Sequence, residues 1–115
     1  MQILSDESKI QEVFLNLLIN SIAAIEEKGE ISIGLNQKND RWLEIAIRDD
    51  GKGIKAEHLT QVFNPFFTTR RRGTGLGLSI CKKIIEAHKG SIDVQSEEGK
   101  GTVFTIRFPL IDQTV

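Results

Sequence analysis

Leu43-Glu44-Ile45-Ala46-Ile47-Arg48-Asp49-Asp50-Gly51-Lys52-Gly53 alternates apolar and polar residues up to Arg48, then breaks into carboxylates and glycines. The alternation predicts a half-buried strand, because successive side chains of a strand point to opposite faces. Upstream, Ile31, Ile33 and Leu35 alternate in the same way, and the polar turn Gln37–Arg41 joins the two strands. Further upstream, Ile10, Val13, Phe14, Leu17, Leu18, Ser21 and Ile25 recur at spacings of three and four, which predicts a helix over 6–27 with one buried stripe. Ser5 and Asp6 offer the oxygens that start it, and Lys28-Gly29 ends it. Ile3 and Leu4 read as an edge strand.

Downstream the periodicity fails from Asp49 to Gly75, apart from a short helix near Glu57–Val62. An irregular stretch of this length in a compact domain reads as a functional lid or as a disordered segment. Phe63, Phe66 and Phe67 cluster around Pro65, to pin that loop or to hinge it. A second helix is expected from Leu76 to His88, with Leu78, Cys81, Ile84 and Ile85 inward and Gly90 past its end. Ile92 and Val94, then Phe104, Ile106 and Phe108, form a last hairpin across Glu97–Gly101. The fold class is therefore α+β: a two-layer α/β sandwich whose mixed, mostly antiparallel sheet is covered on one face by helices. We read one domain over 1–110 and a tail over 111–115.

Composition narrows the function. The 115 residues carry 15 basic and 16 acidic side chains, so nothing marks a nucleic-acid or membrane surface. No apolar run approaches the roughly 20 residues that span a bilayer. The lone Cys81 fits a reducing compartment, and a cytoplasmic location is expected.

Three motifs carry chemistry. Asn16 and Asn20 lie four apart on the first helix and so share a face, offering two neutral amide oxygens of the kind that suit Mg²⁺. On this reading they are both metal-holding and catalytic; the plainer reading is two amides solvating a helix. Asp49 leaves a strand into a glycine turn, where a carboxylate can accept from an exocyclic amine such as that of adenine. Gly51 and Gly53 let the backbone bend and approach a ligand. An ordinary Asp-Gly turn would look the same. Gly73-Thr74-Gly75-Leu76-Gly77-Leu78 opens a helix and so aims free N–H groups and the positive helix end at an anion. Arg70, Arg71 and Arg72 stand just before it. No strand precedes these glycines, which excludes a dinucleotide-binding turn.

In their order and spacing these pieces resemble the catalytic, ATP-binding domain of sensor histidine kinases. Leu15–Ser21 is similar to that family's N box and Arg48–Ile54 to its first glycine box. Val62–Arg70 is similar to its F box, and Gly73–Leu78 to its second glycine box. Gly99-Lys100-Gly101-Thr102 resembles a further glycine turn. The resemblance covers nearly the whole chain. It implies the Bergerat-type ATP fold shared with DNA gyrase, heat-shock chaperone and mismatch-repair ATPases. It also implies Asp49 on the adenine amine, and Asn16 and Asn20 on Mg²⁺. A nucleotide site would be lined by Asn20, Gly51, Gly53, Ile54, Phe67, Arg70, Gly73, Thr74, Gly75, Leu76, Gly77, Leu78 and Thr102.

The departures are specific. Ala23 and Ala24 stand where many members have a basic residue, which leaves phosphate contact to Arg70 or its neighbours. Asp50 replaces a frequent Asn, and the stretch between Thr69 and Gly75 is short. Neither His58 nor His88 lies in an acceptor-like sequence. ATP-hydrolysing relatives carry a Glu at the position of Asn16, whose amide cannot take a proton from water. Glu12 lies a further turn away, about 6 Å along the axis. The sequence therefore points to ATP and Mg²⁺ as cofactors and to γ-phosphoryl transfer onto a histidine of a separate helical dimerisation domain. A response regulator would act downstream. A non-catalytic nucleotide-binding regulatory module and an anti-sigma-type serine kinase stay open as alternatives.

Overall fold

The computed structural model describes residues 7–25, 28–64 and 77–110. Helix α1 spans Glu7–Ala24, β1 Ile31–Lys38, β2 Trp42–Asp49, α2 Ala56–Leu59, α3 Gly77–Ala87, β3 Ser91–Glu97 and β4 Gly101–Pro109. The strands form one sheet in the order β1-β2-β4-β3, and every pairing is antiparallel. Among the described residues the expected parallel component of a mixed sheet is thus absent. The strand read at Ile3 and Leu4, and the Ser5 and Asp6 helix start, lie outside them.

The core forms between one sheet face and the two long helices. Val13 and Leu17 from α1 and Cys81 and Ile85 from α3 pack with Ile45, Ile47, Ile92, Phe104, Ile106 and Phe108. Alternation along each strand delivers these residues to one face, and the spacing of three and four delivers the helical ones. Ile33 and Leu35 of β1 share that face in register with Ile47 and Ile45, yet are 55% and 66% exposed. They alternate as the sequence predicts, but β1 is an edge strand beyond the cover of the described helices. No helix among the described residues is long and apolar enough to cross a membrane.

The boundaries move for local reasons. Helix α1 stops at Ala24, ahead of the expected end at 27. The Ala24 carbonyl accepts from Lys52 N–H at 2.8 Å, and Ile25 N–H turns back to Ile22 at 3.2 Å. The first hairpin is longer than expected because Asn39 and Asp40 adopt left-handed φ of 55° and 57°, so the polar residues up to Lys38 pair. The short helix covers only Ala56–Leu59, and single turns follow it to Asn64. Helix α3 starts at Gly77 and ends at Ala87, with Leu76 outside the described residues. Lys89, at φ 62°, takes the left-handed capping position expected near Gly90. Gly90 N–H then donates to Ile85 O at 2.9 Å.

Candidate nucleotide site

Register places Asp49 of β2 opposite Thr102 of β4, and Thr102 opposite Ser96 of β3. Three polar side chains thus form a row across one end of the helix-covered face, where the rows behind it are apolar. Asp49 and Thr102 are each only 4% exposed. A buried carboxylate is costly unless hydrogen-bonded. Asp49 Oδ1 accepts from Gly51 N–H at 2.9 Å, which fixes the carboxylate and leaves its second oxygen as an acceptor.

Ser96 is a hub that the sequence reading missed. Its hydroxyl accepts from Ile54 N–H at 2.8 Å, donates to Gly101 O at 2.7 Å and lies 2.8 Å from Thr102 Oγ1. A hydroxyl has one proton, so with Ser96 donating to Gly101 the proton shared with Thr102 comes from Thr102. Thr102 therefore turns only lone pairs outward. The alternation Ile92, Val94, Ser96 held the signal, because it carries Ser96 to the inner face.

The turn after Asp49 is clamped on both sides. Lys52 N–H donates to Ala24 O, and Lys52 O accepts from Gly99 N–H at 2.7 Å. A Cβ on Gly51 would stand 2.5 Å from Ala24 O, and one on Gly53 (φ 74°) would strike Glu97 O. These glycines are required by packing against α1 and the β3–β4 turn, a reason the sequence reading did not supply. Asp50 Oδ1 accepts from Glu30 N–H at 2.8 Å and ties the start of β1 to the turn. An Asn amide oxygen could do the same, so Asp50 needs no ligand to explain it.

Helix α3 runs antiparallel to α1 and begins halfway along it. Gly77 faces Asn16, whose Oδ1 lies 3.5 Å from where a Gly77 Cβ would be, and Cys81 Sγ lies 3.7 Å from Val13 O. The N-terminal end of α3 therefore meets the half-buried amide of Asn16, and the half-buried amide of Asn20 lies one turn further along α1. Asn20 Nδ2 donates to Asn16 O at 3.0 Å, which leaves Oδ1 as the end able to face a cation. Leu78, half-buried, packs against the core. Burial pushes the Cys81 thiol up to about 12, with the Glu12 carboxylate adding to the rise. Side-chain hydrogen bonding to Asn16 and a backbone hydrogen bond oppose it.

Asn16, Asn20, Asp49, Gly51, Gly53, Ile54, Gly77, Leu78 and Thr102 are thus placed by the structure. Phe67, Arg70, Gly73, Thr74, Gly75 and Leu76 lie outside the described residues, as do Arg71 and Arg72. Residues 5–112 match the family described as histidine kinase-, DNA gyrase B- and HSP90-like ATPase. The chain belongs to that family. It is 38% identical to the catalytic domain of histidine kinase ThkA, with a TM-score of 0.82 over 94% of this chain and 71% of that one. It is also similar to the sensor histidine kinase ZraS of Salmonella typhimurium, 44% identical over 96% of this chain and 24% of ZraS. Full-length ShkA, solved in complex with AMPPNP, is 26% identical, with a TM-score of 0.85 over 98% of this chain and 24% of that one. Within the family this is a histidine-kinase catalytic domain, and it spans about a quarter of the length of the curated kinases it matches.

Proposed function

We propose that this catalytic domain binds Mg-ATP at the corner between α1 and α3 and passes the γ-phosphoryl to a histidine on a helical dimerisation domain of its parent kinase. A response regulator is then the onward acceptor. Asp49 accepts from the exocyclic amine of adenine with its second oxygen. Gly77 opens a helix whose positive end suits phosphate. The sequence just before it, Arg70 and Gly73 to Leu76, supplies further phosphate contacts. The AMPPNP held by ShkA supports a nucleotide here.

Asn16 and Asn20 fit Mg²⁺ through their amide oxygens, which are hard, neutral ligands. No group of three or more His, Cys, Asp or Glu among the described residues could hold a metal by itself, so the triphosphate would complete the shell. The cation would neutralise charge on the transferring phosphoryl group.

The observation that carries transfer rather than hydrolysis is Asn16, a neutral amide set against the first residue of α3. It cannot deprotonate water, whereas a neutral imidazole is nucleophilic without a base. Phosphoryl transfer asks mainly for positioning and charge stabilisation. The test mixes the domain with a separately made dimerisation hairpin and γ-labelled ATP. Acid-labile label on the hairpin histidine is expected. Nucleotide binding without label would favour a regulatory module.

A further inference from the structure

Strand β1 is the unprotected edge of the sheet. It pairs with β2 on one side, and no strand among the described residues takes the other. Asp50 N–H donates to Glu30 O at 3.3 Å just ahead of β1, and bonding alternates along an antiparallel ladder. Even-numbered residues therefore bond to β2, while Ile31, Ile33, Leu35 and Gln37 turn N–H and C=O outward. Ile33 and Leu35 are also the exposed apolar side chains of the helix-covered face. Edges of this length are normally blunted by a charge, a proline or a bulge. The opposite edge, β3, carries Asp93 and Glu97, but the middle of β1, from Ser32 to Asn36, has no such residue.

The helix layer leaves the same edge apolar. Helix α3 touches α1 and β3, and α1 lies over β2, so the flank of α1 away from α3 is turned toward β1. Asn16, facing Gly77, marks the α3 flank. At about 100° per residue, Leu18 lies on the other flank of the buried Leu17, and Ile22 lies further round and is exposed. An apolar trough thus runs between α1 and the free edge.

The strand is complementary to itself. In an antiparallel pairing centred on Gly34, Ile33 meets Leu35 of the other copy and Glu30 meets its Lys38. Both charged side chains are exposed, and neither has an ion-pair partner among the described residues. Residues that bond outward oppose residues that bond outward. Sliding one copy by two residues sets Lys28 against Lys38 or Glu30 against Asp40, and like charges in opposed positions are destabilising.

We propose that this edge is a self-association surface, on which β1 pairs with β1 of a second copy across a two-fold axis at Gly34. Two four-stranded sheets join into one, with the helices of both copies on the same face. Leu18 and Ile22 of both copies line the seam above Ile33 and Leu35. The contact is isologous and leaves the charged β3 edges outermost, so it stops at a dimer. The candidate nucleotide corner lies on the other flank of α1 and stays open. The helical dimerisation domain proposed above would raise the local concentration of two such edges, so a weak contact suffices.

The test joins cysteine cross-linking to sedimentation equilibrium. A Cβ on Gly34 meets nothing within 4 Å, so Gly34→Cys is tolerated, and Cys81 is buried and does not compete. At the axis Gly34 faces its copy in a non-hydrogen-bonded pair with Cα atoms about 4.5 Å apart, within disulfide range. Ser32 and its copy lie about 13 Å apart, four strand residues. Under mild oxidation Gly34→Cys should become a covalent dimer while Ser32→Cys stays monomeric. Wild type should pass from monomer toward dimer between about 1 μM and about 1 mM, the range of a weak interface. Leu35→Lys should abolish that shift and bind ATP as wild type does, which separates this surface from the nucleotide site. Lys38→Glu should weaken association about 3–10-fold, and Glu30→Lys added to it should restore the loss. Wild type that stays monomeric throughout, equal cross-linking of Ser32→Cys and Gly34→Cys, or no rescue by the double reversal would each overturn the proposal.

Discussion

The N–H of Lys52 caps the carbonyl of Ala24 at 2.8 Å, so the glycine turn beyond β2 is also the C-terminal cap of α1. The proposed purine carboxylate and the helix that carries Asn16 and Asn20 are thereby mechanically joined: Asp49 sits three residues before the cap, and Asn20 one turn before Ala24.

That joint predicts the behaviour of Gly51→Ala. The new methyl would meet Ala24 O at 2.5 Å and Ala24 C at 2.7 Å, both backbone atoms that cannot rotate away. A loss of about 1–3 kcal/mol is expected, typical of an overpacked site. Urea denaturation measures it. A midpoint equal to wild type would show that α1 and the turn are not in fixed contact.

Asp49→Asn should keep the fold, because an amide oxygen can still accept from Gly51 N–H at the place where Oδ1 does now. It should lose ATP affinity by about 2 kcal/mol or more, since its amide nitrogen then opposes the adenine amine. Titration with AMPPNP, alongside circular dichroism, separates the two effects. Wild-type affinity would remove Asp49 from the purine site.

Asn20→Ala removes the amide that bonds to Asn16 O and with it one candidate cation ligand. The ratio of ATP affinity with magnesium to that with EDTA should fall toward one. An unchanged ratio would place the cation elsewhere.

Cys81 carries a pH signature. Its thiol rises in the folded protein from 9.0 to about 12, so the folded state holds its proton in a range where the unfolded state gives it up. Unfolding then releases a proton, and stability falls as pH climbs above 9. The contribution is whole below pH 9, and it declines by at most about 1.4 kcal/mol per pH unit above it. Between pH 8 and 10 the unfolding free energy from urea titration should fall by up to about 1.4 kcal/mol more for wild type than for Cys81→Ala. In the folded protein at pH 8 a thiol reagent should react with Cys81 only through unfolding.

Much of this molecule is written in local pattern. Alternation marked the strands, spacing of three and four marked the helices, and both follow from the fixed geometry of the backbone. The order of the asparagine pair, the Asp-Gly turn and the glycine run sufficed to point to an ATP site, since each motif is contiguous in the chain. Tertiary structure decided what depends on residues far apart. Register alone set Asp49 beside Thr102 and Ser96, contributed by strands whose pairing no short window contains. Antiparallel packing brought Gly77 to Asn16, 61 positions away in sequence. The space around Gly51 and Gly53 gave these glycines a packing reason that the sequence could not supply, because sequence shows that a side chain is missing but never what fills its place. Ser21 is the sharpest case. A small polar residue in an apolar stripe reads as filler until burial shows its hydroxyl without a partner.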